Sequence, residues 1–189
     1  MNADVPPIGG TPVTTRLAMK MEDSLQAVAV RAACFIGELD VPFSEEFDGH
    51  DYGATHVIAY LGDEPIGAVR VRWFQSFAMT ERLAVMQRFR GHDVGQILLE
   101  RCRTLAASRG CNMLYAQVLP CDTGYWEKQG WRRLVPAAAS KADRRQIVSM
   151  VKAVDPGKPL PDVEASDAIA LRNELQLDST GMPGSTITN

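Results

Sequence analysis

Nowhere does this chain of 189 residues approach the roughly 20 consecutive apolar residues that a membrane-spanning helix requires. Its N-terminus, broken by Pro6, Pro7, Gly9, Gly10 and Pro12, has no apolar leader segment. Runs of Lys or Arg are missing as well, and the formal net charge is −3. That argues against a nucleic-acid or anionic-membrane surface, since both reward a concentrated basic patch. Cysteine is sparse: Cys34, Cys102, Cys111 and Cys121 have neither C-x-x-C spacing nor histidine partners. Neither a zinc site nor a disulfide framework follows from them; they read as reduced thiols. No metal is expected, nor any internal repeat. These absences leave a soluble, cytoplasmic protein whose partner is a small molecule or another protein. With 46% hydrophobic residues, the chain is one domain long and buries roughly two thirds of its unfolded surface without a staple.

Punctuation divides the chain into a flexible N-terminus over 1–13, a domain over 14–154, and a tail over 155–189. The tail holds a Pro/Gly linker, a weak helix over 165–177 and a disordered end. Within the domain, Leu25, Val28, Ala29, Ala32, Ile36 and Leu39 repeat at helical spacing and predict a helix over 22–39, with Asp23 or Ser24 accepting its first free N–H groups. An acidic, aromatic loop follows, Pro42 to Tyr52. Two strands over 55–61 and 66–74 flank a hairpin at Gly62-Asp63-Glu64-Pro65. A third strand over 81–85 leads through a glycine-bearing turn into a helix whose stripe is Val94, Leu98, Cys102 and Leu105, with Gly110 at its left-handed end. A strand over 113–118, a short helix over 122–129 stopped by Gly130, and closing strands over 131–135 and 147–154 complete an α/β or α+β layered domain, its mixed sheet covered by helices.

The order strand, turn, helix over Leu83 to Leu99 carries chemistry. A turn of small residues opening a helix presents unpaired N–H groups and the positive end of the helix dipole, a receptor for phosphate. A glycine near a helix start is by itself routine. Here, however, Arg90-Gly91-His92-Asp93-Val94-Gly95 follows an apolar strand five residues after Val85, and resembles the Arg/Gln-x-x-Gly-x-Gly/Ala signature of the GNAT superfamily. Tyr125-Trp126-Glu127-Lys128-Gln129-Gly130-Trp131 resembles that superfamily's aromatic-Tyr-Glu-Lys-Leu-Gly-Phe element, and Val148 to Lys152 its final strand. The similarity spans about residues 20 to 153, most of a domain of ordinary size.

The resemblance implies a mixed, mostly antiparallel central sheet with helices on both faces, and an N-acetyltransferase using acetyl-CoA. Leu83, Ala84 and Val85 would pair through their backbone with the pantetheine amides. The amides from Arg90 through Gly91, His92, Asp93, Val94 and Gly95 to Gln96 would hold the pyrophosphate. Two residues depart from the pattern. Asp93 replaces the central glycine and brings a carboxylate toward the pyrophosphate, although Asp tolerates left-handed backbone angles and can turn away as a cap. Trp126 replaces the tyrosine that protonates the departing thiolate, so either Tyr125, Cys121 or a water serves or the step proceeds without a dedicated acid. For the attacking amine, the Val85 amide is the oxyanion donor and Glu81 the candidate base; a strand carboxylate paired with Arg82 or Arg70 is the plainer reading of Glu81.

In the loop after the first helix, Glu45, Glu46, Asp48, Asp51 and His56 stand among Phe43, Phe47 and Tyr52. Unpaired carboxylates there would attract a cationic amine of a small molecule or peptide; a solvated polar loop is the alternative, and His56 reads as structural more readily than as a base. Arg31, Phe35, Asp48, Asp51 and Arg70 also resemble the N-acyl-homoserine-lactone synthases, which however lack the Arg-Gly-x-x-x-Gly turn. A degenerate acyl-CoA-binding or interaction module is the non-catalytic alternative. A homodimer is compatible with the sequence.

Overall fold

The structure, a computed structural model, describes residues 7–75, 77–134, 147–158 and 160. Seven strands form one sheet: β1 (Val13–Leu17), β2 (Thr55–Leu61), β3 (Glu64–Trp73), β4 (Phe77–Val85), β5 (Met113–Val118), β6 (Arg132–Arg133) and β7 (Val148–Ala153), in the order β1-β2-β3-β4-β5-β7-β6. Every pairing is antiparallel except β4 with β5. The helices are α1 (Met21–Phe35), α2 (Phe43–Glu46), α3 (Val94–Ser108) and α4 (Thr123–Lys128). This is the mixed α/β architecture expected, with helices on both faces. Among the described residues, no helix is long and apolar enough to cross a membrane.

Strand alternation explains the two faces. Val57, Ala59, Val69 and Val71 point to the side where α3 lays Val94, Leu98, Leu99, Cys102 and Ala106, joined by Trp126 and Trp131 from the end of the chain's second half. Ile58, Tyr60, Ala68 and Ala84 face Ala27, Val30 and Cys34 of α1. Farther along the α1 side, Phe77, Met79, Met113, Tyr115 and Val151 form a third cluster.

Most elements lie where the sequence places them, and the differences have local causes. Asp23, inside the first turn, reaches back to accept the amides of Met19 and Lys20 ahead of the helix (3.0 and 3.1 Å) rather than those of the helix itself, and Ser24 Oγ donates to Lys20 C=O. The first helix ends at Phe35 rather than Leu39, because Ile36 and Gly37 both donate to Ala32 C=O and close the last turn early. Strand β4 begins at Phe77, four residues before the run read from sequence. Strand β1 is an addition: five residues are too few for alternation to stand out, and pairing with β2 creates it. Ile8 and Thr11 form an isolated bridge just before it. The hairpin turns at Gly62-Asp63 (φ 61° at Gly62), two residues shorter than expected because Glu64 and Pro65 already pair with Leu61 and Tyr60; the left-handed Gly110 and Gly130 match expectation (φ 77° and 80°). The connection at 135–146, the helix at 165–177 and the rest of the tail lie outside the described residues.

Strand β4 holds the feature that positions everything else. Its ladder to β5 covers only Phe77 to Met79 against Met113 to Tyr115 and then stops, so the two strands part. Its register with β3 slips between Ala68↔Ala84 and Arg70↔Glu81, leaving Arg82 and Leu83 opposite Val69 alone. Such a β-bulge bends the strand and turns two successive side chains. Arg82 is left-handed (φ 52°).

Close to this point Gly67 lets α3 approach β3. A Cβ there would lie 3.0 Å from Val94 Cγ1, 3.1 Å from Leu98 Cδ1 and 3.2 Å from the Ala84 carbonyl. The carbonyl belongs to the sheet and cannot yield. Gly67→Ala is therefore expected to destabilise the fold by about 1–3 kcal/mol through overpacking, measurable as a lower denaturant midpoint at unchanged slope.

Candidate active site

The turn between β4 and α3 has the geometry of an anion receptor. Gly91 and Asp93 are both left-handed (φ 80° and 56°), which curls the chain so that α3 starts at Val94. Asp is one of the few side-chain-bearing residues that enter this region readily, which is how it stands in for glycine here. Its side chain makes no cap bond to the helix, so the expected capping role is not realised. The first bond into α3 runs from Ile97 N–H to Asp93 C=O (3.0 Å); the amides of Val94, Gly95 and Gln96 precede it and are the orphan donors of the helix start.

The arginine and histidine of the turn face elsewhere. Arg90 Nε donates to Val85 C=O (2.9 Å) and its Nη2 to Glu38 Oε2 (2.6 Å), tying the end of β4 to the end of α1. His92 Nδ1 lies 3.1 Å from the Arg90 carbonyl. The Arg90 N–H is itself donated to Gln87 C=O (3.3 Å), so what the turn offers a phosphate is the backbone from Gly91 onward. Val85 contributes in the same way. Met86 N–H bonds Ile66 C=O (3.0 Å), so alternation turns the amide and carbonyl of Val85 away from β3, toward the side from which β5 has departed.

Tyr125 closes this corner. Its hydroxyl lies where a Cβ on Gly95 would be, with Leu83 Cδ2 just beyond. Burial, and then the charge of Asp93, raise its phenol above the ordinary range, so it stays a proton donor at neutral pH. Trp126 is buried and packs edge-on against Trp131, ring centroids 4.7 Å apart. Between the two aromatic neighbours, the exposed hydroxyl bearer is the one at the turn. Cys121 is exposed beside Asp122 and is not among the groups brought to that corner by a described contact.

On the α1 side of the sheet, the acidic loop meets four arginines. Glu46 takes Arg31 and Arg82; Asp48 takes Arg70 and Arg82; Asp51 takes Arg31 and Arg70; Glu81 takes Arg70 and Arg72. Each carboxylate bridges two guanidinium groups, and four charges of each sign close on one another. Arg31 and Glu46 are fully buried and 2.6 Å apart, and Arg70 is 1% exposed. The carboxylates are therefore not the unpaired set that the sequence suggests, and Glu81 is held through both oxygens by Arg70 Nε (3.0 Å), Arg72 Nε (3.0 Å) and Arg72 Nη2 (2.9 Å). His56 Nε2 sits 3.4 Å from the Asp51 carbonyl while its Nδ1 is buried without a hydrogen-bond partner. Burial and then the charge of Arg31 lower its pKa, which leaves the ring neutral at pH 7. Phe43 and Tyr52 are exposed beside the network.

Sequence reasoning overlooked Arg72 altogether and gave Arg82 only a supporting part. The signal for Arg72 was present: Arg70 and Arg72 stand two apart in an apolar strand, hence on one face. Nothing in the sequence announces the left-handed backbone of Arg82.

The network has a pH signature. Burial raises the Asp48 carboxyl, but the hydrogen bonds and charge of Arg70 outweigh it and hold it at about 2. An unfolded Asp titrates near ~3.9. The stabilisation is thus complete above about pH 4 and is lost as pH falls through about 2. Acid unfolding should show a loss of stability across that window, and Asp48→Asn should flatten it; an unchanged slope in the variant would place the sensitivity elsewhere.

Comparison with known proteins agrees with this geometry. The family described as "Acetyltransferase (GNAT) family" matches residues 25–131, from α1 through the turn and α4. Over 118 residues the chain is 29% identical to the uncharacterized N-acetyltransferase YjcF of Bacillus subtilis (strain 168), covering 62% of this chain and 84% of that protein. An acyl-CoA N-acyltransferase from Pseudomonas aeruginosa superposes with a TM-score of 0.64 at 16% identity, over 75% of this chain and 100% of that one. An aminoglycoside 6'-N-acetyltransferase complexed with coenzyme A does so with a TM-score of 0.59 at 14% identity, over 80% and 100%. With an open strand β4, an anion-receiving start to α3 and more than half of its length matched by the family, the chain belongs to the GNAT acetyltransferases and is an acyltransferase.

Proposed function

We propose that the protein transfers the acetyl group of acetyl-CoA to a primary amine of a small molecule or peptide by direct attack. The observation that carries this reading is the parting of β4 from β5 directly ahead of the orphan amides of α3. An open strand edge suits a ligand with amide groups, and a helix start suits its phosphates. The coenzyme A bound by the aminoglycoside 6'-N-acetyltransferase of the same fold supports the choice of donor.

Acetyl-CoA supplies the activated thioester. Leu83 and the Val85 N–H serve its pantetheine, whereas Ala84, paired with Ala68, turns its backbone to β3 and the Val85 carbonyl is held by Arg90; the amides from Gly91 to Gln96 take its pyrophosphate, the Arg90 N–H being donated to Gln87. The Val85 N–H holds the developing oxyanion. Tyr125 protonates the leaving thiolate in place of Trp126, which has no acidic proton to give. Glu81 accepts the amine's proton directly or through a water, its carboxylate aimed by Arg70 and Arg72. Glu46, Asp48, Asp51 and His56 shape the acceptor floor; being balanced by arginines, they hold a loop in place more than they capture a cation. Four free thiols support a reducing, cytoplasmic setting.

A second reading has one observation in its favour: Arg31, Asp48, Asp51 and Arg70, the charged residues shared with N-acyl-homoserine-lactone synthases, do meet in one network. An acyl-length series separates the two, acetyl-CoA being preferred in the first case and longer acyl donors in the second.

Calorimetric titration should give saturable binding of acetyl-CoA, and a panel of amines should release free CoA thiol. No binding at millimolar acetyl-CoA would end the proposal. Tyr125→Phe should lower kcat by about 10²-fold or more with little change in KM for acetyl-CoA; equal kcat would remove Tyr125 as the acid. Gly95→Ala should keep its melting temperature, since Ala gains about 1 kcal/mol in a helix, yet displace the Tyr125 hydroxyl and weaken acetyl-CoA binding.

A further inference from the structure

We infer that Arg82 is a positioning residue whose side chain locks the bulge of β4, so that the acidic loop on one face of the sheet holds open the donor slot at its edge. The inference rests on the reading of that slot as an acyl-CoA site.

The backbone gives the first half of the argument. Arg82 is one of three non-glycine residues with positive φ among those described, and the one inside a strand. A left-handed conformation costs a residue with a Cβ free energy, and it persists only where its surroundings impose it. In a strand the extended alternative is always at hand, and relaxing to it would erase the extra residue of the bulge. Strand β4 could then run on beside β5 past Met79, where the ladder now stops. The open edge at Val85 depends on that relaxation not occurring.

The side chain gives the second half. Arg82 Nη2 donates to the Glu45 carbonyl and reaches Asp48 Oδ2 (3.4 Å), while Nε lies 3.1 Å from Glu46 Oε2. The guanidinium also sits over the Phe35 ring, 5.8 Å from its centroid. The Nε–Glu46 contact is an ion pair without hydrogen-bond alignment, so the hydrogen bonds that hold this strand residue run to Glu45 and Asp48, with Glu46 and the Phe35 ring packed around it. Glu46 is itself fixed by the buried Arg31, and Asp48 by the buried Arg70, so the anchor is tied to buried ion pairs. The bulge puts Glu81 and Arg82 both on this face, because Glu81 meets Arg70 and Arg72 there while Arg82 meets the loop. The next residue, Leu83, turns to the opposite side and reaches Gly95 at the start of α3. One strained residue therefore connects the loop on the acceptor side with the turn on the donor side. Arg82 does no proton transfer in this account; it sets the position of the strand amides that do the binding.

The test separates backbone from side chain. In Arg82→Ala the lock is gone and the Cβ remains, so the bulge relaxes and CoA affinity, measured by calorimetry, falls by about tenfold or more. In Arg82→Gly the lock is also gone, but glycine enters the left-handed region without penalty, and affinity returns to within about threefold of the original protein. Loss of an ion pair alone would make the two variants equal. Asp48→Asn, a change of one atom at a partly exposed site, loosens the anchor without altering a residue of β4 and should weaken CoA by about three- to fivefold; this holds even if Arg82→Ala fails to fold. Arg82→Ala binding CoA as the original does, Arg82→Gly binding as weakly as Arg82→Ala, or unchanged affinity in Asp48→Asn would each overturn the lock. Failure of the original protein to bind CoA would overturn the donor reading and the lock with it, whereas intact binding with unaffected variants overturns the lock alone.

Discussion

Strand β4 stops pairing with β5 after Met79, and a sheet that loses a neighbour in its interior must satisfy the freed backbone groups in another way. The structure concentrates its polar machinery around that break. The Val85 carbonyl is taken by Arg90, Thr80 Oγ1 donates to the Tyr115 carbonyl where the ladder ends (3.3 Å), and the start of α3 brings its own orphan amides alongside. Closing the gap with side chains would have made a better core and no site. The unpaired edge is the cost of a slot lined by directional donors and acceptors.

Among the described residues, four carboxylates and four arginines pair with one another on the other side of the same strand. Burying ions is expensive, and a buried pair often stabilises no more than apolar residues of the same volume would. Its use here is geometric. Each carboxylate bridges two arginines, so no member of the set can rotate away without leaving a partner uncompensated. The loop that carries Glu46, Asp48 and Asp51, with only the single turn α2 as α-helix, is thereby tied to α1, β3 and β4. Charge balance also means that this region exerts little net pull on a cation.

The two residues that depart from the family pattern are accommodated differently. Asp93 keeps the backbone conformation of the glycine it replaces and leaves its carboxylate at the mouth of the turn, where it also raises the Tyr125 phenol. Trp126 does not stay at the reacting corner but joins Trp131 in the core on the α3 side. Its neighbour Tyr125 takes the exposed position. A one-residue change in which aromatic ring is buried thus moves a hydroxyl along the chain without altering the helix that carries it.

Periodicity and punctuation were enough, from the sequence alone, to establish the order of α1, β2 to β4, α3, β5, α4, β6 and β7, the two helix-bearing faces, and the strand-turn-helix segment from Leu83 to Leu99; the short helix α2 inside the acidic loop is not legible there. Those features are local: alternation of two, repeats of 3.6, and glycines where φ must be positive. The acidic loop was visible by its composition, but its charge state as a group was not. Ion pairing between Asp48 and Arg70, or Glu46 and Arg82, joins residues more than twenty positions apart, and only the tertiary structure decides such distances. The bulge was invisible for the same reason. Arg82 has no intrinsic preference for left-handed angles, and it adopts them because a distant loop binds its side chain more strongly than the strain opposes.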